Sequence, residues 1–226
     1  MTKRFNTLTL KLLALLFLIS PVWVNAQALP NLSVVKQQLI QYHDSGQYMK
    51  DIEAMTTQAM TYVQQRVAEN NALAQPKKLA MVFDIDETVL SNYPDMFNMN
   101  FGGTFKAIIE AEEKAHDPAI APTLALYQYA QKNNIAIFFV TGRKEALRQP
   151  TIKNLQRTGL GIWNTLFMKP NNYAQASVVP YKSGARAKIQ SMGYDIILNI
   201  GDQDSDLAGG YADKDIKLPN PYYLIP

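Results

Sequence analysis

The sequence predicts an α/β fold, a parallel sheet flanked by helices, with a short insertion after the first strand. Four short apolar runs, at 79–83, 135–140, 165–168 and 196–200, are separated by stretches with helical spacing. None of the runs shows clean polar alternation, the pattern of strands that helices cover on both faces. Polar groups stand just past the three strongest runs: Asp84 and Asp86 after the first, Thr141-Gly142-Arg143 after the second, Gly201-Asp202-Gln203-Asp204-Ser205-Asp206 after the fourth. Ligand crevices of open parallel sheets lie beyond the carboxyl ends of the strands, so these groups are expected to share one edge.

Residues 1–28 combine Lys3, Arg4 and Lys11 with an apolar stretch, 12–24, and the small-residue exit Asn25-Ala26-Gln27-Ala28. That is the layout of a secretory signal peptide, 1–26 or 1–28 according to whether cleavage follows Ala26 or Ala28, and Ser20-Pro21 leaves the apolar stretch short for a membrane span. Its three basic residues, with no acidic ones, account for the whole formal charge of +3. The remainder, 27–226, is then neutral and has no dense Lys/Arg tract, which argues against a nucleic-acid polymer or an anionic membrane as partner. Cysteine is absent, so packing must hold an exported chain together and no lipid can be attached through an N-terminal cysteine. The reading is of a periplasmic or secreted protein with no permanent membrane anchor; a homo-oligomer is compatible with it.

Residues 27–226 are enough for one domain with a substantial core. From 44 to 70, Tyr48, Ile52, Met55, Ala59, Tyr62 and Val63 recur every three or four positions, which predicts a helix with one packed stripe, capped by Asp44 or Ser45. Further helices are expected at 122–132, at 144–159 with a break near Pro150, and at 183–192. The insertion at about 92–117 carries Tyr93, Phe97, Phe101 and Phe105 around Gly102-Gly103 and is too short for a large independent cap.

The chemistry follows from position. Asp84 leaves the first strand as a candidate nucleophile, and attack on phosphorus would make an aspartyl-phosphate. Asp86, two residues on, returns to the same side and can move protons to the departing oxygen and from the incoming water. Thr88 can fix the turn that holds both carboxylates. The Thr141 hydroxyl and Gly142 amide can bind phosphate oxygens, and Lys182, ahead of the helix expected at 183, can offset their charge. Arg143 reaches either the substrate or a neighbouring carboxylate. Tyr93, Phe97 and Phe101 are candidates for stacking on a base or phenyl leaving group, with packing of the insertion as the plain alternative.

Acidic groups this dense would repel a phosphate dianion without a cation, and Mg2+ suits hard oxygen ligands. The ligands assigned are the side chains of Asp84 and Asp202 and the backbone carbonyl of Asp86, with Asp206 and Thr88 supporting from behind. The stretch 202–206 lacks the continuation of a twelve-residue calcium loop, and His43 and His116 lie in no Cys/His cluster that would suggest zinc.

With these motifs in place, the segment 83–92, Phe-Asp-Ile-Asp-Glu-Thr-Val-Leu-Ser-Asn, resembles the first motif of the haloacid dehalogenase superfamily, in the form carried by class B and class C bacterial acid phosphatases and by plant acid phosphatase and vegetative storage proteins. Thr141-Gly142-Arg143 is similar to the second motif, Lys182 to the third, Gly201-Asp202 with Asp206 to the fourth, and the tail 217–223 to the end of the lipoprotein branch. The resemblance implies an Mg2+-dependent phosphomonoesterase on a Rossmann-like haloacid dehalogenase fold with a short cap insertion, working at acid pH outside the cytoplasm on nucleoside monophosphates or other small phosphate monoesters. Glu87 is the lipoprotein and plant form, while Gly142 stands where that branch often has asparagine. A phosphotransferase using the same intermediate, and an exported binding or storage protein with little turnover, are the alternatives.

Overall fold

The computed structural model describes residues 29–226; the expected signal peptide lies outside them. Residues Leu32–Pro226 form one compact unit. Among the described residues no helix is long and apolar enough to cross a membrane.

Helices α1 (Leu32–Asp44) and α2 (Gln47–Asn71) are joined at Gly46, whose φ of +78° is the left-handed conformation glycine adopts without a Cβ penalty. Gly46, rather than Asp44 or Ser45, occupies the N-cap of α2, and no side chain caps it. The buried face of α2 carries Tyr48, Ile52, Thr56, Ala59, Val63 and Asn70, while Met55 and Tyr62 stand half-buried beside it. At its end the Asn70 carboxamide donates to the Lys77 carbonyl (3.1 Å) and accepts from the Lys77 amide (2.9 Å), pinning the connection into the first strand.

Five parallel strands follow, β1 (Lys78–Phe83), β2 (Ala136–Lys144), β3 (Thr165–Lys169), β4 (Tyr194–Gly201) and β5 (Asp215–Lys217), in the spatial order β3-β2-β1-β4-β5. Alternate residues of β1 feed two cores: Leu79, Met81 and Phe83 join the large cluster with α2 and α5 (Ala121–Lys132), and Ala80 and Val82 meet Ala185 and Ile189 of α7 (Val179–Ser191) on the other face. This two-sided burial is why the strands read as apolar runs without alternation.

Between β1 and α5 the insertion forms α3 (Tyr93–Asn98) and α4 (Phe105–Lys114), the latter capped by Thr104, whose hydroxyl accepts from the Ala107 amide (3.2 Å). The helix expected at 144–159 is a 3₁₀ turn, Glu145–Leu147, running into α6 (Arg148–Arg157), with Pro150 in the first turn of α6. Pro180 likewise begins α7 four residues earlier than expected, so Lys182 lies inside that helix and not ahead of it. After β4 comes the single turn α8 (Asp204–Leu207).

Asn70→Ala removes both part-buried hydrogen bonds to the Lys77 backbone, so it should lower unfolding free energy by about 1 kcal/mol or more, whereas the exposed neighbour change Asn71→Ala should stay within about 0.5 kcal/mol; urea titrations of the two variants check this.

Candidate active site

The site starts where β1 ends. The Asp84 amide still donates to Ile200 O (3.0 Å), continuing the ladder, and the chain then turns. The carbonyl of buried Ile85 collects the amides of Thr88, Val89 and Leu90 at 2.9–3.2 Å, which requires a left-handed residue between, Glu87 at φ +50°. Glu87 carries its own anchors: its carboxylate accepts from Tyr48 Oη of α2 (2.7 Å) and from the Asn92 amide (2.5 Å). Burial nevertheless pushes this carboxyl up to about 8, against the pull of both donors.

Asp84 and Asp86 thus leave one rigid turn into different surroundings. Lys182 Nζ donates to Asp84 Oδ1 (2.7 Å) and to Asp206 Oδ1. Burial, then the Asp206 charge, raises the Asp84 pKa well above the carboxylate range, with Lys182 acting against them. Asp86 is gripped by Arg143, through Nε (3.0 Å) and Nη2 (2.6 Å), and by Asn92 Nδ2 (2.9 Å). Burial acts to raise the Asp86 carboxyl, but these donors outweigh it and hold it below its ordinary value.

The second strand exit is built by a bulge. Thr141 pairs with Met168 and Lys144 with Lys169, so two residues of β2, Gly142 and Arg143, are extra and break the register. Thr141 is buried and its hydroxyl accepts from the Arg143 amide (3.1 Å), leaving its own proton to donate. A Cβ on Gly142 would meet no protein atom and would project into open space. Arg143, one of the two alternatives for which was substrate contact, has a fully buried side chain committed to Asp86 and to Asp117 Oδ2 (3.0 Å). Asp117 in turn is held through its backbone by Asn154 of α6, at 2.9 and 2.7 Å.

At the end of β4, Asp202 Oδ2 accepts from Gln203 Nε2 (2.5 Å) and Asn220 Nδ2 (2.7 Å), and Thr88 Oγ1 lies 3.3 Å from Oδ1. Burial and the Asp206 charge bring Asp202 up to about 6 despite the amide donors. Asp206 Oδ2 accepts the Gln203 amide (2.8 Å) in a capping box, and Gly201 is required beside it because any Cβ there would collide with the Asp206 carboxylate. One oxygen from each of Asp84, Asp202 and Asp206 lies within 4.8 Å of the others, all buried. Three desolvated carboxylates against one ammonium are a hard-oxygen donor set with excess negative charge, which fits a divalent cation such as Mg2+. Asp206, expected behind the ligands, stands in the same cluster.

These groups open on a cavity of about 250 Å3. Its floor is Asp84, Asp86, Gly142, Lys182 and Asp202, and its apolar walls include Met96, Met99, Phe105, Ile108 and Tyr223. Tyr93, Phe97 and Phe101 are not among the lining residues. Tyr93 stacks on His43 of α1 and Phe101 on Tyr222, with Phe97 6.0 Å from Tyr93 on the outside of this aromatic cluster, so the packing alternative describes where these rings lie. A larger groove of about 900 Å3 involves the opposite ends of the strands, but no carboxylate lines it. In the sequence Glu87 and Asn92 stand within the 83–92 motif, Gln203 in the polar run 201–206 and Asn220 in the tail 217–223, none of them with an assigned role, and nothing marked Asp117.

Comparison with known proteins agrees with this geometry. The family model for HAD superfamily, subfamily IIIB (acid phosphatase) matches residues 2–226. Relatives include vegetative storage protein 1 of Arabidopsis thaliana, 32% identical over 80% of this chain and 67% of its own length, and acid phosphatase 1 of Solanum lycopersicum, 32% identical over 79% and 69%. Among solved structures, the class C acid phosphatase of Bacillus anthracis superposes with a TM-score of 0.65 over 84% of this chain and 86% of that one, at 24% identity, a likeness of fold. The parallel sheet, the carboxylates at its edge and the family match together establish that the chain belongs to the acid phosphatases of subfamily IIIB in the HAD superfamily, a group of phosphomonoesterases.

Proposed function

We propose that this acid phosphatase is exported and hydrolyses small phosphate monoesters, nucleoside monophosphates among them, through a phosphoryl group carried on Asp84. The observation that carries the reading is the pair of carboxylates leaving one turn into one cavity, Asp84 against Lys182 and Asp86 against Arg143. Carboxylates with separate partners can take separate roles.

In the first half-reaction an Asp84 oxygen attacks phosphorus, the bond to the ester oxygen breaks, and Asp86, which must first take up a proton at acid pH against the pull of Arg143, gives it to that oxygen. In the second, water attacks phosphorus, Asp86 takes the proton, and the Asp84–phosphorus bond breaks to release phosphate. The Thr141 hydroxyl, the Gly142 amide and Lys182 hold the equatorial oxygens, Thr141 donating because its lone pair already accepts from Arg143. Asp84, Asp202 and the Asp86 carbonyl would hold Mg2+, which supplies charge neutralisation between carboxylates and phosphate. Asn220 and Gln203 occupy one oxygen of Asp202, and Thr88 Oγ1 lies 3.3 Å from the other. A storage protein with little turnover is the competing reading, suggested by the name of one relative; the intact set of Asp84, Asp86, Lys182 and Asp202 supports catalysis instead.

Phosphate release from a panel of nucleoside monophosphates and an aromatic phosphate should depend on Mg2+ and fall by roughly a thousandfold or more in Asp84→Asn. Asp86→Asn should cost about 10²–10⁴ in kcat while keeping metal binding. An Asp84→Asn protein as active as wild type would rule out the covalent route. In calorimetric titration, Asn220→Ala should weaken Mg2+ affinity by about 10–100-fold; unchanged affinity would remove Asn220 from the metal's support. N-terminal sequencing of the protein recovered from outside the cytoplasm should begin at Gln27 or Leu29, and an uncleaved Met1 would contradict export by signal peptide.

A further inference from the structure

Four cations line the catalytic cavity, and they divide into two kinds. Arg143 and Lys182 are paired: Arg143 with Asp86 and Asp117, Lys182 with Asp84 and Asp206. Among the described residues Lys144 and Lys169 pair with no carboxylate. Glu112, whose charge also reaches Lys169, lies against Arg143 Nε at 3.8 Å. The two free lysines are partners in the β2–β3 register, on strands about 4.8 Å apart. Like charges placed on paired strand positions repel, and Lys169 shows it: burial, then Lys144, then Lys182 depress its pKa.

Their position assigns them to the leaving group. The bulge at Gly142-Arg143 separates Lys144 from Thr141, which faces the scissile phosphate in the reading above. Lys144 Nζ sits over the Phe105 ring, 5.4 Å from its centroid, so it stands where the cap helix α4 meets the sheet edge. Between α4 and the floor the walls carry Met96, Met99 and Ile108, with the carboxylates of Asp95 and Glu112 among them. A leaving group that extends from Asp84 toward the cap meets two half-buried ammonium groups that form no ion pair, with Glu112 a carboxylate within electrostatic reach of Lys169.

We propose that Lys144 and Lys169 form a subsite for a second phosphate carried on the leaving group, so that the preferred substrates are bisphosphorylated esters. The subsite rests on the phosphatase reading of Asp84. It is separate from the site that holds the scissile phosphate.

The test compares initial rates of phosphate release, at low ionic strength with Mg2+, from adenosine 5′-monophosphate and adenosine 3′,5′-bisphosphate. The wild-type kcat/KM should favour the bisphosphate by about tenfold or more, as charge-assisted contacts of this kind provide, and added salt should shrink the ratio. The Lys144→Met/Lys169→Met double variant should bring the ratio toward unity, while Lys144→Arg/Lys169→Arg, which keeps both charges, should retain it. A wild-type ratio near one, or a Met double variant that slows both esters equally, overturns the subsite and leaves the phosphatase reading standing. Failure of wild type to hydrolyse either ester removes both.

Discussion

Among the described residues Lys182 is the one ammonium set among the buried carboxylates of Asp84, Asp202 and Asp206, and the structure around it is arranged to keep that many charges out of water. Buried carboxylates persist only where they are paired and their remaining lone pairs find donors. The donors come from far apart in the chain: Thr88 from the first turn, the Gln203 amide and side chain from the fourth strand exit, Asn220 from the tail. One turn beyond Lys182 on α7, Arg186 donates to the carbonyls of Asp206, Ala208 and Gly210, so the same helix holds both the carboxylate and the backbone of the opposing loop. Gly209, at φ +93°, lets that loop close against Ser183, where a Cβ would overlap the helix.

The turn at 85–90 solves a related problem. Two carboxylates two residues apart would share one field unless the backbone separated them, and the three amides gathered on Ile85 O give the chain the curvature to do so. The left-handed Glu87 is strained for a residue with a side chain. That conformation is stabilised by the buried hydrogen bond from Tyr48, which makes α2 part of the site without touching it. Asp117 serves the other carboxylate in a comparable way, by fixing Arg143 and being fixed by Asn154.

Much of this was legible in the sequence, for a physical reason. Strands covered on both faces must be apolar throughout, so the abrupt change from Phe83 to Asp84, from Val140 to Thr141 and from Gly201 to Asp202 marks both the strand end and the functional edge. What stayed hidden depends on direction in space. Aromatic spacing in 93–105 does not name a partner: Tyr93 turns to His43, 50 residues earlier, and Phe101 to Tyr222, 121 residues later. Proline at N1 starts a helix as readily as it ends one, which is why α7 begins at Val179 and takes in Lys182. Glu87, Asp117 and Asn220 each act through one long-range contact, and a single polar residue has no period to reveal it.

The cavity therefore has a floor and walls of different mechanical character. Apart from Lys182 on α7, the floor is made of strand ends and the turns just past them, and its side chains are cross-braced by charge. The walls come from α3 and its end, from α4, which buries only Ala111, and from the tail, held to the floor by Gln203 through the Tyr223 carbonyl and the Ile225 amide. Substitutions in α4 can thus change the shape and polarity met by a leaving group while the carboxylates keep their partners, since none of the Asp84, Asp86 or Asp202 hydrogen bonds is made by that helix. Lys144 is where floor and wall meet: it ends β2 beside the bulge that carries Gly142 and it touches Phe105 of the cap. Chemistry and selectivity are consequently separable in this fold, with the paired cations serving the first and the unpaired ones placed for the second.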